Sequence, residues 1–184
     1  NVKSLNAYFK AIPLQKKIND EKGLSYTYNN IGLIYSKQFN FKKAIEYYDM
    51  ALKLRKKNND QLGLSATYNN IGIVQKDQKN YKEALINYKA SIAIDSSLNE
   101  IYGMSGTYNN IGLIYSELND LNTALVYYHK ALKIREQVND KRGISNSCNN
   151  IGSVLHQQKK YDEAIINYER ALNIGLEIGT KDLI

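Results

Sequence analysis

The hexapeptide TYNNIG occupies residues 27–32, and the same six letters return at 67–72 and 107–112. A fourth copy, SCNNIG, stands at 147–152, so the copies begin at the evenly spaced positions 27, 67, 107 and 147. Repetition at a fixed period of this length is typical of repeat proteins, in which each unit packs against its neighbours. The string therefore defines the repeat unit of the chain.

The repeat runs without gaps through the whole sequence. We predict one continuous array with four units at 23–62, 63–102, 103–142 and 143–182. Residues 1–22 match the second half of a unit, because Tyr8 and Asn19 fall where Tyr48 and Asn59 lie. The N-terminal segment is therefore predicted to be the second helix of a preceding, truncated repeat.

Each unit has the hydrophobic periodicity of two amphipathic helices, with apolar residues at intervals of three and four. In the first unit they are Leu24, Tyr28, Ile31 and Tyr35, then Phe41, Ala44, Ile45, Tyr48, Ala51 and Leu52. Residues that favour N-caps precede the helices. For the first helix of each unit they are Asp20, Asp60 and Asp140, with Glu100 as a poorer substitute at the equivalent position. For the second helix they are Asn40, Asn80 and Asp120. We expect helices of about 16–18 residues, antiparallel because the turns are short.

Glycines inside the first helices indicate close helix packing. They are Gly32, Gly72, Gly112 and Gly152. Each costs about 1 kcal/mol relative to alanine, so a close approach of the paired helix must offset it. Small residues on the second helix match them at Ala44, Ala84, Ala124 and Ala164. A second series, Gly23, Gly63, Gly103 and Gly143, is expected where the previous second helix passes the start of the first.

These residues resemble the tetratricopeptide repeat family. Its pattern of a large residue, a Leu-Gly pair, a Tyr, and then Ala, an aromatic residue and Ala is met by Tyr28, Ile31, Gly32, Tyr35, Ala44, Tyr48 and Ala51. The unit is longer than the usual one of about 34 residues. In this it resembles a subgroup of the family that includes kinesin light chains, spindle-orientation adaptors and bacterial sensor and pheromone-receptor proteins. The resemblance implies an all-α fold, a right-handed α-solenoid of antiparallel helix pairs.

Composition and charge limit the kinds of partner. No apolar run reaches the roughly 18–20 residues of a membrane-spanning helix, so we expect no membrane insertion of this segment. The net charge of +7 resides in residues 1–60, with 12 Lys or Arg against 5 Asp or Glu. These lysines cluster near predicted helix ends and not along one aromatic-lined face, so no nucleic-acid partner is expected. The basic end favours an acidic partner.

No catalytic or metal-binding constellation stands out. His129 and His156 lack metal-ligand spacing, and Cys148 occupies the position that Tyr28 fills in the first unit, as a small core residue. We therefore predict no enzyme activity, no metal and no cofactor in this segment. The lone cysteine agrees with a reducing compartment such as the cytoplasm, and a periplasmic sensor segment remains the alternative.

The repeated asparagine pairs are the candidate binding residues. Both lie off the apolar stripe, on the side that lines the concave groove in the family. They form two files, Asn29, Asn69, Asn109, Asn149 and Asn30, Asn70, Asn110, Asn150, with candidate pocket residues Leu33, Ile73 and Leu113 one turn away. An amide offers both a donor and an acceptor, the pair needed to hold a peptide main chain. The alternative is that at least one file bonds neighbouring helices and locks the stack. We favour the file of Asn30 for ligand contact.

Two functions are therefore predicted from the sequence. The first is a non-enzymatic scaffold for a protein or peptide, as the sensory or adaptor segment of a larger bacterial signalling protein. The second is a structural spacer or self-association module without a groove ligand. The segment at 161–179 is apolar on more than one face, whereas a terminal repeat carries a polar outer face. We expect either further helices after it or end-to-end association with a second copy.

Overall fold

The computed structural model describes residues 2–179, and all regular structure within them is α-helical. Its helices are α1 Val2–Lys17, α2 Glu21–Lys37, α3 Phe41–Lys57, α4 Gln61–Asp77, α5 Tyr81–Ser97, α6 Ile101–Glu117, α7 Leu121–Gln137, α8 Lys141–Gln157 and α9 Tyr161–Glu177. The helix lengths of 16 or 17 residues agree with the prediction. No helix in this part of the chain has the length and apolarity needed to cross a membrane.

Every connection between consecutive helices is a three-residue turn with one left-handed residue at its centre. That residue has φ between 51° and 63° at Asn19, Phe39, Asn59, Lys79, Asn99, Asn119, Asn139 and Lys159. In one example, Lys79 N donates to Lys76 O at 2.8 Å and Asn80 N to Gln75 O at 2.9 Å. This is the Schellman arrangement, which satisfies the last carbonyls of the preceding helix. One helix with its turn therefore makes half of a repeat unit, and two of them fill it.

The predicted N-caps are largely confirmed. Side-chain caps to the backbone N–H three residues on are made by Asp20, Asp60, Asp140, Asn40 and Asp120. The prediction for Asn80 is wrong, because it stands at the N-cap of α5 without a side-chain cap bond. Its Nδ2 instead donates to Oε1 of Gln75 at 2.9 Å. Glu100, the poorer substitute, also makes no cap bond.

The chain forms two compact units, Asn1–Leu98 and Asn99–Ile184. We call α2, α4, α6 and α8 the first helices, and α1, α3, α5, α7 and α9 the second helices. In the first unit α2 pairs with α3 and α4 with α5, while α1 packs on α2 and α3 on α4. In the second unit α6 pairs with α7, α8 with α9, and α7 packs on α8. Each unit therefore contains two helical hairpins in contact.

A tyrosine ring packed on a glycine closes each hairpin. A Cβ placed on Gly32 would lie 2.7 Å from the ring of Tyr48, and its three nearest atoms all belong to that ring. The same pairs are Gly72 with Tyr88, Gly112 with Tyr128 and Gly152 with Tyr168. The predicted close approach of the paired helix is confirmed. The residue that contacts the glycine is a tyrosine, however, and not the alanine that the sequence analysis matched to it. Ala44 is also fully buried.

The second glycine series has the predicted surroundings at three positions. A Cβ on Gly63 would lie 2.7 Å from Nε of Arg55, and one on Gly143 would lie 2.7 Å from Cδ of Arg135. At Gly23 the corresponding neighbour is Nε2 of Gln15, at 2.8 Å. The preceding second helix therefore passes the start of the first helix at these joints.

Two glycines of α6 provide a matched test of this packing. A Cβ on Gly106 would meet nothing within 4 Å, whereas a Cβ on Gly112 would lie 2.7 Å from the Tyr128 ring. Gly106→Ala should stabilise the protein by about 0.5–1 kcal/mol through helix propensity. Gly112→Ala should destabilise it by about 1–3 kcal/mol because the buried ring must move. Urea unfolding of both variants measures the difference, and equal stabilisation by both would refute the packing role of Gly112.

Candidate functional site

The asparagine pairs lie on the exposed side of the first helices, beside the hairpin cores. All eight predicted side chains are half-buried: Asn29, Asn69, Asn109, Asn149, Asn30, Asn70, Asn110 and Asn150. In the first unit α2 touches α4, so the pairs of these two helices share one surface. The structure therefore brings together the predicted residues of neighbouring repeats within a unit.

A side-chain hydrogen bond joins the two asparagine files across adjacent first helices. Nδ2 of Asn70 donates to Oδ1 of Asn29 at 3.3 Å. In the second unit Nδ2 of Asn150 donates to Oδ1 of Asn109 at 2.8 Å. Asn70 and Asn150, members of the file favoured for ligand contact, thus also connect the repeats.

The bond uses only part of each amide. Asn29 and Asn109 each accept the hydrogen bond of their pair through Oδ1. Their NH2 groups therefore remain available as hydrogen-bond donors. Asn70 and Asn150 each retain Oδ1 and a second N–H. One pair therefore presents donors from one side chain and an acceptor from the other. This is the set that a peptide N–H and C=O require.

A buried arginine supports the pair in the first unit. Arg55 on α3 has only 2% of its surface exposed, and its Nη1 donates to the carbonyl oxygen of Gly63 at 2.5 Å and to Oγ1 of Thr67. Oγ1 of Thr67 lies 3.3 Å from Oδ1 of Asn29 and 2.9 Å from the Gly63 carbonyl, either of which can accept its proton. Hydrogen bonds thus run from α3 through α4 to the asparagine of α2.

Two further contacts hold the Arg55 guanidinium. Oδ2 of Asp60 lies 3.6 Å from its Nε, and its Cζ lies 5.1 Å from the centre of the Tyr26 ring. Burial lowers the pKa of Arg55, and the Asp60 carboxylate opposes this shift. An arginine remains charged at any physiological pH, so α3 carries a fixed positive charge into its contact with α4.

The second unit repeats this arrangement at the equivalent residues. Nη1 of Arg135 donates to the carbonyl oxygen of Gly143 at 3.0 Å and to Oγ of Ser147 at 2.7 Å. Sequence analysis missed both arginines, because a search for apolar residues at helical spacing does not identify a charged residue as buried. The available signal was the recurrence of Arg, Asp and Gly at 55, 60 and 63 and again at 135, 140 and 143.

The predicted apolar positions differ in exposure. Leu33 is exposed, Ile73 is half-buried, and Leu113 is half-buried against the core of the second unit. Tyr26 is exposed on the turn of α2 that precedes Asn29 and Asn30. On α2 the asparagines therefore lie between two exposed apolar side chains, Tyr26 on the preceding turn and Leu33 on the following one.

The other residues considered for chemistry are the cysteine and the two histidines. No group of three or more His, Cys, Asp or Glu in residues 2–179 could hold a metal ion. Cys148 is fully buried, and burial raises the pKa of its thiol. The core position predicted for Cys148 is thereby confirmed, whereas His129 and His156 are exposed on α7 and α8.

The repeat geometry agrees with a comparison against protein families. The model of the tetratricopeptide repeat matches residues 23–97 and 103–177. The chain belongs to the tetratricopeptide repeat family. The predicted fold class, an α-solenoid built of antiparallel helix pairs, is confirmed. No curated protein matches the chain in sequence.

Solved structures of this tetratricopeptide fold are similar over most of the chain. BtubC (BKLC) from P. vanneervenii has a TM-score of 0.83 at 22% identity, covering 94% of this chain and 72% of BtubC. A Rap protein complexed with Competence and Sporulation Factor has a TM-score of 0.86 at 19% identity, covering 97% of this chain and 50% of Rap. Aspartyl phosphate phosphatase F from Bacillus subtilis has a TM-score of 0.83 at 16% identity, covering 86% and 42%. These TM-scores show a common fold.

The contribution of the buried arginine can be measured against an exposed one. Arg55→Met should lower the free energy of unfolding by about 1.5–3 kcal/mol, because the Gly63 carbonyl and Thr67 lose a charged donor. Arg170, whose Nη2 pairs with Oε1 of Glu136 at 2.6 Å, is half-exposed and serves as the control. Arg170→Met should cost no more than about 1 kcal/mol. Urea titration monitored by circular dichroism tests this, and equal losses would contradict the special role of Arg55.

Proposed function

We propose that this chain is a non-enzymatic binding segment that holds an extended peptide or protein segment along its first helices. In this proposal it is the sensory or adaptor segment of a larger bacterial signalling protein. The observation that carries the proposal is the asparagine pair, found in both units with the same polarity. Each pair keeps free hydrogen-bonding capacity on the exposed side of the hairpins.

The amide geometry supports main-chain recognition. The NH2 groups of Asn29 and Asn109 would donate to ligand carbonyls. Oδ1 of Asn70 and Oδ1 of Asn150 would accept from ligand N–H groups. Each such bond contributes about 0.5–1.5 kcal/mol net and depends on no ligand side chain. The asparagines therefore provide affinity that is independent of ligand sequence.

Helix spacing suits an extended ligand. Packed helices lie about 8–10 Å apart, and an extended chain advances about 3.3 Å per residue. One first helix would thus meet about every third residue of the ligand. In the first unit selectivity would come from Leu33 and Ile73, with Tyr26 at the preceding turn, and in the second unit from Leu113, because apolar side chains require a matching ligand side chain.

The alternative is a spacer or self-association module whose asparagines only join the repeats. The hydrogen bond between Asn29 and Asn70 also favours this function, because it links α2 to α4 without any ligand. The two functions differ in one consequence. A purely structural pair uses only the bond between the asparagines, whereas a binding pair also uses the NH2 group of Asn29.

Replacement of asparagine by aspartate separates these roles. Asn29→Asp together with Asn109→Asp keeps the acceptors for Asn70 and Asn150 but removes the NH2 donors. The free energy of unfolding should then change by less than about 0.5 kcal/mol, whereas Asn70→Asp together with Asn150→Asp removes the bond itself and should cost about 1 kcal/mol per pair. Urea unfolding of both double variants measures the two changes.

Peptides for the binding measurement come from a phage-displayed library of random linear peptides, selected on the immobilised protein. The affinity of an enriched peptide is then measured by fluorescence anisotropy. Loss of two donor bonds should weaken binding by at least about tenfold in the Asn29→Asp, Asn109→Asp protein. Asn122→Asp is the matched control, because Oδ1 of Asn122 accepts from Nε2 of Gln158 at 2.9 Å on an exposed part of α7.

Two results would contradict the binding function. One is a selection that enriches no peptide. The other is unchanged affinity in the protein with Asn29→Asp and Asn109→Asp, which would assign the asparagines to the structural role.

A further inference from the structure

An exposed tyrosine ring covers the buried arginine of the first unit. Cζ of Arg55 lies 5.1 Å from the centre of the Tyr26 ring, and only 2% of the Arg55 surface is exposed. Tyr26 lies on α2, one helical turn before Asn29. A cation over the face of an aromatic ring is attracted by the negative charge of that face. The first unit therefore shows which kind of group fits over this guanidinium.

The second unit has no side chain at the equivalent position. Gly106 of α6 occupies the place of Tyr26, and a Cβ built on it would meet nothing within 4 Å. Arg135, the counterpart of Arg55, is 9% exposed. The space that a ring fills in the first unit is therefore open in the second, one turn before Asn109.

The guanidinium of Arg135 is less completely paired than that of Arg55. Nη1 of Arg135 donates to the Gly143 carbonyl and to Ser147, whereas its buried Nε has no hydrogen-bond partner within residues 2–179. Nε of Arg55 lies 3.6 Å from Oδ2 of Asp60, but Arg135 makes no equivalent ion pair in the described part of the chain. The positive charge beside Gly106 is therefore available to a further group.

The surroundings of Arg135 favour a neutral ring over an anion. Burial lowers the pKa of Arg135, and both Asp140 and Tyr102 raise it, so the Asp140 carboxylate and the Tyr102 hydroxyl lie near the guanidinium. The carboxylate would repel a second anion, whereas an uncharged aromatic ring is not repelled. Tyr102 lies one turn before Gly106 and is 60% exposed. A ring that enters the open space therefore lies close to a second aromatic residue as well as to the cation.

We infer that the open space beside Gly106 binds an aromatic side chain of the ligand, with the ring face on the guanidinium of Arg135. The ligand ring takes the position that Tyr26 occupies in the first unit. This aromatic site rests on the proposed peptide-binding function, because it lies one turn from the pair of Asn109 and Asn150. It gives that function a preference for peptides that place Tyr, Trp or Phe on the second unit.

A small aromatic probe tests the aromatic site without any peptide. N-acetyltyrosinamide is added at millimolar concentration to protein labelled with nitrogen-15, and nuclear magnetic resonance follows the Nε–H signals of the arginines. The Arg135 signal should shift through the ring current of the probe, whereas N-acetylleucinamide should leave it in place. The Arg55 signal should stay unmoved with both probes, because Tyr26 already covers that guanidinium.

Two variants exchange the behaviour of the two arginines. Gly106→Tyr should abolish the response of Arg135, because the new ring fills the space. The fold should tolerate this change, since a Cβ at Gly106 has no close neighbour. Tyr26→Ala should open the equivalent space in the first unit and make the Arg55 signal respond to N-acetyltyrosinamide. The melting temperature of each variant shows whether it is folded.

Ala66→Tyr is the matched control. It adds a ring at the equivalent exposed position of α4, where α5 carries Asp95 in place of the arginine. This variant should keep the response of Arg135. An unmoved Arg135 signal in the original protein, an equal shift with N-acetylleucinamide, or a response retained after Gly106→Tyr would overturn the aromatic site. A shift caused by acetate and not by N-acetyltyrosinamide would identify an anion site and overturn it as well.

Peptides separate the aromatic site from the proposed function. Peptides enriched from the random library should carry an aromatic residue and bind the Gly106→Tyr protein about three- to thirtyfold more weakly than the original. Equal binding to both proteins would contradict the aromatic site and leave the peptide-binding function standing. A response of Arg135 to the probe without any enriched peptide would support the aromatic site and contradict the peptide-binding function.

Discussion

The contact between a tyrosine ring and a glycine backbone sets the distance between the two helices of each hairpin. Tyr48 is almost fully buried over Gly32, and no side chain fits between them. Burial also raises the pKa of the equivalent Tyr128 to about 12, so that ring remains neutral at physiological pH. A helix-unfavourable glycine is retained at each of these positions because the aromatic ring fills the space that a Cβ would take.

Polar contacts then connect one hairpin to the next within a unit. The guanidinium of Arg55 reaches the Gly63 carbonyl and Thr67, and the amide of Asn29 accepts from Asn70. A buried charge with hydrogen-bonding partners demands a defined geometry, whereas apolar packing alone tolerates shifts between helices. The same contacts recur at Arg135 and Asn150 in the second unit. This framework places the amide groups on the exposed side of the first helices.

The sequence was sufficient to predict the helices, because a gapless repeat with apolar residues every three or four positions admits few alternatives. Most caps followed from short polar residues before each helix. The backbone conformation of the turns was harder to predict from the sequence. Asparagine tolerates a left-handed backbone at Asn59 and Asn119, but Phe39 and Lys79 adopt the same conformation without any sequence preference for it. There the two flanking helices impose the backbone conformation.

The candidate site was also predictable only in part. The eight asparagines were found because they repeat, and their placement beside the core follows from helical periodicity. The bond from Asn70 to Asn29 depends on how adjacent first helices are offset, which periodicity within one helix does not specify. The support from Arg55 was missed because a buried cation contradicts the usual expectation for arginine. Such residues have to be located through their partners in space.

We propose two simultaneous roles for Asn29 and Asn109, an acceptor role within the protein and a donor role toward a ligand. Nuclear magnetic resonance of the side-chain amides measures this directly in protein labelled with nitrogen-15, titrated with a peptide from the library selection. We expect the NH2 signals of Asn29 and Asn109 to shift as the peptide binds, while the backbone amide signals on the outer surfaces of α3 and α7 stay unchanged. Shifts confined to α3 and α7, with the asparagine signals unmoved, would contradict these roles.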